Sequence, residues 1–444
     1  MTLQNLDEKR KIINNKIIIG IDPANSKHQG FIINEKGISL GRSFQFANNN
    51  KGITKTLWRQ IRKKIKPEDI NPDKIIFAVE ASMDFWQILT NYLSLSGYRV
   101  ALVCPLTTYR TRVLPGNDFY KTDPKDARMI AENTAKGYFH WYQQKTSRQK
   151  AMKTLSLTYN KLRKDLQSNQ ARLRSQIKRI FPELLKSINI NTSTALFLLA
   201  RYLYPHEYLN LDLEKTAREI SKISRNQYNL ATLLKIQNNA QISIGIPKGE
   251  EEQIADKITV STFIQVIQTL NKQIKAVSKQ LIELAQESPV FEYITSLKGI
   301  SELTAAIFLA EIQDPDKYKH YKQIQKMAGL NLRLNTSGNG RYYYKINKIG
   351  NARLRWVIYQ MTKETAKYIP EVRIKYLKRQ LEYSRYTKNI IAASSQLLQL
   401  LWCLIKNKRK YEYRQDTLSL MQELEFKYHQ KTKKYKKRKA SVCA

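Results

Sequence analysis

Apolar and polar positions divide this chain into three regimes. In the first third, short unbroken apolar runs alternate with amphipathic stretches. Lys16-Ile17-Ile18-Ile19-Gly20-Ile21-Asp22 and Lys74-Ile75-Ile76-Phe77-Ala78-Val79-Glu80 both predict buried strands that end on a carboxylate. Gly30-Phe31-Ile32-Ile33-Asn34 and Gly37-Ile38-Ser39-Leu40 predict the next strands of a meander, turned at Glu35-Lys36-Gly37. Residues 51–66 form a basic helical stretch stopped by Pro67. Residues 84–96 predict a helix closed by Gly97, and residues 98–103 a further strand. A meander followed by alternating strands and helices predicts an α/β domain with a mixed sheet. Residues 1–15 read as a loose polar tail.

The middle third changes to heptad spacing. Residues 149–180 predict one long helix, with Leu155, Tyr159, Leu162, Leu166, Asn169, Leu173, Gln176 and Ile180 in steps of four and three. Asn169 stands where a polar residue would set register. Pro182 follows this run. A second run is Phe263, Ile267, Leu270, Ile274, Val277, Leu281 and Leu284. The two runs either pack on each other within one chain or pair between chains. Residues 192–246 between them read as helices with loops.

From Phe291 the pattern shifts again. Residues 294–301 join two apolar helical stretches through Lys298-Gly299, either a plain helical hairpin or one whose backbone N–H groups meet a phosphate. Residues 327–341 end in a Gly/Asn-rich loop around Ser337, and residues 346–355 open another helix. Ser337, flanked by cations, is a candidate nucleophile. It is equally a phosphate hydrogen-bond donor or a simple loop serine. Tyr342-Tyr343-Tyr344 between Arg341 and Lys345 reads as a strand or as a base-stacking surface. These shifts divide the chain into 1–15 (tail), 16–145 (α/β domain), 146–290 (helical, oligomerisation), 291–415 (mainly helical C-terminal domain) and 416–444 (basic tail).

Composition then narrows the partners. The 444 residues hold 77 Lys plus Arg against 37 Asp plus Glu, a net charge of +40. Such self-repulsion calls for a polyanion. Nucleic acid comes first, and an anionic membrane second. No apolar run reads as a membrane span and no leader is evident, so a cytoplasmic, nucleoid-associated protein without membrane contact is expected. Cys104, Cys403 and Cys443 lack metal-ligand spacing.

The chemistry centres on Lys121-Thr122-Asp123-Pro124-Lys125-Asp126-Ala127. Pro124 suits a first helical turn, and Asp123 reads as its N-cap. Asp123 and Asp126 then reach one point near the positive helix end. Asp22 and Glu80 end apolar strands, at the edge where α/β sheets place their sites. Four carboxylates gathered there would repel unless a divalent cation such as Mg²⁺ lay between them. The plainer alternatives are a capped surface helix and two capped strand ends.

Taken together, Gly20-Ile21-Asp22, Val79-Glu80-Ala81-Ser82 and the Lys-Thr-Asp-Pro-Lys-Asp-Ala run resemble the DEDD motif of an insertion-sequence transposase family with a RuvC-like (RNase H fold) N-terminal domain. In the second half, residues 297–312 resemble that family's helix-hairpin-helix. Ala328-Gly329-Leu330, Thr336-Ser337-Gly338 and Gly350-Asn351-Ala352-Arg353-Leu354-Arg355 resemble its serine-bearing domain. The match spans nearly the whole chain, in order. It departs at Met83, where the family has glycine, and at Leu332-Arg333, which lacks a common proline.

The resemblance implies DNA recombination guided by a bridge RNA that pairs with donor and target DNA. It implies catalytic Asp22, Glu80, Asp123, Asp126 and Ser337, the four carboxylates holding one or two Mg²⁺. Ser337 would form a covalent serine–DNA link, in a dimer or tetramer. Nucleic-acid contacts are expected at Lys121, Lys125, Lys298, Gly299, Arg341, Lys345, Lys348, Arg353 and Arg355. The rival expectations are a RuvC-like nuclease using water and a non-catalytic nucleic-acid-binding protein.

Overall fold

A computed structural model describes residues 3–114, 122–246, 248–333, 345–383 and 385–442. The chain forms two compact units, Met1–Lys145 and Thr146–Ala444.

Unit 1 is built on a six-stranded sheet: β1 (Ile17–Asp22), β2 (Lys27–Asn34), β3 (Phe44–Ala47), β4 (Ile75–Glu80), β5 (Arg99–Val103) and β6 (His140–Trp141). Its order is β3-β2-β1-β4-β5-β6. β1, β4 and β5 run parallel, while β2, β3 and β6 pair antiparallel with their neighbours. This mixed sheet fits an RNase H/RuvC-like domain. Helices α1 (Leu3–Ile13), α2 (Leu57–Arg62), α3 (Trp86–Leu95), α4 (Pro105–Thr111) and α5 (Asp123–Ala135) complete the unit.

Strand alternation sorts the core onto two faces. On one, Ile18, Ile76 and Ala78 pack with Ala127, Ile130 and Ala131 of α5. On the other, Ile19, Ile21, Phe77 and Val79 pack with Leu57 and Ile61 of α2 and Leu89 and Leu93 of α3.

Gly20 permits the close approach of α5. A Cβ there would stand 2.3 Å from the Ala127 carbonyl oxygen and 2.7 Å from the Ala131 nitrogen.

Two expectations for unit 1 change. The third strand is Phe44–Ala47 rather than residues 37–40, where Ser39 forms only an isolated bridge to Ile33. Phe44 and Phe46 bury their rings on alternate positions of β3, which Ser39 cannot do. The tail before β1 folds as α1, because Ile13 enters the core and the Lys9 ammonium donates to the Phe139 carbonyl.

Unit 2 begins with α6 (Ser147–Ile180), which opens on a capping box between Thr146 and Gln149. Short helices follow: α7 (Leu184–Ser187), α8 (Ser193–Leu199), α9 (Pro205–Leu209), α10 (Leu213–Ser224) and α11 (Leu230–Gln241). Then come α12 (Glu250–Gln286), α13 (Pro289–Thr295), α14 (Glu302–Ile312) and α15 (Tyr321–Met327). The unit closes with strands β7 (Leu332–Arg333) and β8 (Lys345–Ile346) and helices α16 (Ala352–Thr365), α17 (Pro370–Glu382), α18 (Tyr386–Lys406) and α19 (Gln415–Val442).

The heptad helices α6 and α12 pack on each other within the chain. Leu166, Leu173 and Ile177 of α6 share a core with Val260, Ile264, Ile267 and Leu270 of α12. Ile264, rather than Phe263, is the buried residue at the start of the α12 stripe. Asn169 is no seam residue. It is half-buried, and its amide donates to Asp165 O, one turn back on its own helix.

The basic stretch near the C-terminus continues the α19 helix, anchored earlier by buried Leu424 and by an Arg373–Glu425 ion pair at 2.9 Å. Helix α18, against expectation, is long and apolar enough by length and composition to cross a membrane. Its Ile390, Ala393, Leu397, Leu398 and Leu401 lie in the core of unit 2, and half of it is buried there.

Candidate active site

The carboxylates of unit 1 can be built up strand by strand. Parallel pairing sets Ile21 of β1 against Val79 of β4. One step further, Asp22 and Glu80 end the two strands side by side, both half-buried. They follow Gly20 and Ala78 at a spacing of two, so both project to the face that α5 covers. Glu80 makes no side-chain hydrogen bond or ion pair among the described residues.

Asp123 is the first residue of α5, with Thr122 rather than Asp123 at the N-cap position and Pro124 in the first turn. It is exposed, and it has no polar partner among the described residues. Asp126, one turn on, is buried at 3% exposure. Its two oxygens accept from Arg112, Nε to Oδ1 at 2.7 Å and Nη2 to Oδ2 at 3.0 Å. Arg112 was missed at the sequence level; its one signal is a cation fourteen residues upstream of a carboxylate, too weak to choose it over Arg110.

The expected cluster of four is therefore incomplete. Among the described residues no three His, Cys, Asp or Glu side chains converge as metal donors. The physical reason is that Arg112 already neutralises Asp126. Asp22 and Glu80 end adjacent strands as two neighbouring hard oxygen donors, the donor type that suits Mg²⁺.

The segment after Glu80 is strained. Met83, where glycine was noted for the resembling family, has φ +48° and is 80% exposed. Glycine adopts that region without a Cβ clash. The Met83 carbonyl accepts from Trp86 Nε1 at 3.0 Å, which holds the turn in place.

In unit 2, Ser337, Arg341 and the three adjacent tyrosines lie outside the described residues, as does Lys121 of unit 1. What brackets the serine segment is described. β7 and β8 pair antiparallel, Arg333 opposite Lys345, so the two ends of the segment leave from one short ladder. Lys345 and Lys348 are exposed. Lys298 is exposed too, its ammonium 5.2 Å from the Tyr368 ring centre. Gly299 has φ +102° and backs onto the Glu364 and Thr365 backbone, where a Cβ would meet atoms at 3.0 Å. Lys125 is half-buried on α5.

Arg353 and Arg355 hold the fold rather than facing solvent freely. Arg355 donates to the carbonyls of Ala328 and Lys348, at 2.9 and 3.2 Å. Arg353 donates to Glu311 at 3.0 Å. Glu311 is a carboxylate 1% exposed, also bound by Lys153, Ser156 and Asn351. Burial pushes its carboxyl up, but Lys153, Asn351 and Arg353 outweigh this and hold it below the usual carboxylate range. Burial pulls the Lys153 ammonium below its ordinary value, and Glu311 beside it offsets only part of this. Asn351 also caps α16, accepting from the Arg353 and Leu354 N–H groups. This knot ties α6, α14 and α16 together. A lone Glu in the apolar run Ala305-Ala306-Ile307-Phe308-Leu309-Ala310-Glu311-Ile312 was its sequence signal.

Comparison with known proteins matches both halves. Residues 19–182 fit the IS110-type DEDD transposase model, and residues 291–377 fit the model of transposases of the IS116/IS110/IS902 family. The chain belongs to this transposase family. An uncharacterised 44.8 kDa protein of insertion element IS116 from Streptomyces clavuligerus is 23% identical over 403 residues, 89% of this chain and 96% of that protein. An uncharacterised 43.6 kDa protein of insertion element IS110 from Streptomyces coelicolor is 20% identical over 157 residues, 35% of this chain and 39% of that protein. Membership in the IS110/IS116/IS902 family makes DNA the substrate, and cutting and rejoining DNA the activity.

Proposed function

We propose that this transposase works by Mg²⁺-dependent phosphoryl transfer with Ser337 as the nucleophile. The observation that carries the reading is the placement of Asp22 and Glu80 side by side at the carboxyl edge of parallel strands, Glu80 without a side-chain partner among the described residues. Asp22 and Glu80 would hold the cation, with Asp123 and Asp126 joining once Asp126 leaves Arg112. Bound there, Mg²⁺ supplies charge neutralisation at a scissile phosphate.

The chain's own groups do the rest. The Ser337 hydroxyl oxygen forms a bond to phosphorus as the bond to the leaving sugar oxygen breaks. The hydroxyl proton passes to a base, and the leaving 3′ or 5′ oxygen takes one up. The resulting phosphodiester keeps the bond energy for rejoining. Exposed Lys345 and Lys348 beside the serine segment fit phosphate contacts, as does Lys298 at the α13–α14 turn, read as a helix-hairpin-helix. A guide RNA, a dimeric or tetrameric assembly with coiled-coil contacts between copies, a cytoplasmic location and the five-part division at 15, 145, 290 and 415 belong to the same reading.

Two variants test it in a plasmid excision assay with Mg²⁺. Glu80→Gln is expected to abolish recombination while the protein melts as wild type; undiminished recombination would remove the metal role. Ser337→Ala is expected to lose a denaturant-resistant protein–DNA adduct. Free-ended products without any wild-type adduct would instead favour a nuclease that uses water.

A further inference from the structure

The first unit carries a basic ridge that the carboxylate edge does not use. Lys51, Lys55, Arg59 and Arg62 are all exposed, at steps of four, four and three. That spacing keeps side chains on one helical face. The backbone begins with a wide turn at Gly52–Thr56 and continues as α2. Four residues overshoot an ordinary turn and undershoot a wider one, so combining the two limits the drift of the row.

The underside is firmly seated. Ile53, Leu57, Ile61 and Ile65 are buried against the sheet. Gly52 lies so close to Ala47 that a Cβ would meet its carbonyl oxygen at 1.9 Å. The four cations thus stand on a fixed rod rather than on a loop.

No described residue neutralises them. None of the four makes an ion pair or side-chain hydrogen bond among the described residues. No Asp or Glu occurs between Glu35 and Glu68. Some other cations of unit 1 are paired, Lys74 with Asp69, Arg112 with Asp126 and Arg128 with Glu132; what sets the four apart is their alignment on one helical face.

The ridge also lies away from the carboxylates. Helix α2 packs on the sheet face of Ile19, Ile21, Phe77 and Val79, whereas Asp22 and Glu80 project to the opposite face.

We propose that Lys51, Lys55, Arg59 and Arg62 form a second nucleic-acid contact, gripping the phosphate backbone of a strand other than the one at the carboxylate edge. At ~1.5 Å rise per residue the two four-residue steps stand about 6 Å apart along the axis, and Arg59 and Arg62 about 4.5 Å. The wider spacing is close to two phosphate steps of one strand at ~3.4 Å each. No flat aromatic is exposed in the row, so the ridge holds backbone without reading bases. Polyanion chemistry leaves two sources, DNA and RNA, and the test separates them.

The experiment uses the full chain with Lys51→Gln, Lys55→Gln, Arg59→Gln and Arg62→Gln combined. A control removes equal charge from the exposed Lys215, Lys222, Lys272 and Lys275. Binding to a random-sequence DNA duplex and to a structured RNA hairpin is followed by anisotropy across a salt series. The ridge variant is expected to bind one probe at least tenfold more weakly than the control does. If that probe is the duplex, its log–log salt slope becomes shallower by about 0.9 per lost contact. Loss confined to RNA assigns the ridge to the guide, and loss confined to DNA assigns it to donor or target. Wild-type binding of both probes, or an equal loss in the control, would overturn the proposal. Glu80→Gln leaves the ridge intact and should bind both probes normally, so failure of the metal reading and failure of the ridge are told apart.

Discussion

Arg112 grips Asp126 with two parallel hydrogen bonds, Nε to Oδ1 at 2.7 Å and Nη2 to Oδ2 at 3.0 Å. The pair is largely out of water, with the side chains 16% and 4% exposed. Breaking a buried pair from one side leaves a charge uncompensated, so Asp126→Asn is expected to lower stability by about 3 kcal/mol. Denaturant unfolding measures this. In Arg112→Met the freed carboxylate can join a cation. Mg²⁺ should therefore raise the melting temperature of that variant more than that of wild type, because a ligand of the folded state stabilises it. Equal Mg²⁺ shifts would mean that Asp126 takes no metal.

Gly20 is where α5 comes closest to β1. In Gly20→Ala the new methyl would lie 2.3 Å from the Ala127 carbonyl oxygen, backbone that cannot swing aside. Overpacking of this kind costs about 1–3 kcal/mol or more. Loss of melting temperature in the isolated variant is the check, and an unchanged melt would contradict the close approach.

Met83 offers the opposite sign. Its φ of +48° is strained for a side-chain-bearing residue. Met83→Gly relieves a cost of about 1 kcal/mol, partly offset by the extra unfolded-state freedom of glycine. The net expectation is a gain of about 0.5 kcal/mol, read by denaturant unfolding. A clear loss would show that the methionine side chain matters more than the backbone.

Glu311 makes the second unit acid-sensitive. Its carboxyl sits below the usual range in the folded state, so its stabilisation is complete above the unfolded value. It is lost as pH falls through the depressed folded value, below the ordinary carboxylate range. Glu311→Ala leaves Lys153 and Arg353 facing an empty position and should cost about 3–5 kcal/mol at neutral pH. Measured against pH, the gap between wild type and Glu311→Ala should close on the acid side. A constant gap would place the loss in packing instead.

Asn169 should prove dispensable. Its amide serves only its own helix, through Asp165 O. Asn169→Ala is expected to change stability by less than about 0.5 kcal/mol. A loss of several would restore the register role that heptad spacing suggests.

The strands β1, β4 and β5, the long helices α6 and α12 and the strand-end acids Asp22 and Glu80 were legible in the sequence, because local periodicity and apolar runs encode burial directly. The seam was legible as a pattern but not as a partner, since identical stripes serve pairing within or between chains. The position of β3 was not legible: Gly37-Ile38-Ser39-Leu40 and Phe44-Gln45-Phe46-Ala47 both fit an edge strand, and only the ring packing of Phe44 and Phe46 chose between them. Nor were the ion pairs. Arg112 with Asp126 and Lys153 with Glu311 join residues 14 and 158 apart in the chain. A charge names its sign in the sequence, but its partner is named only when folding removes the water between them.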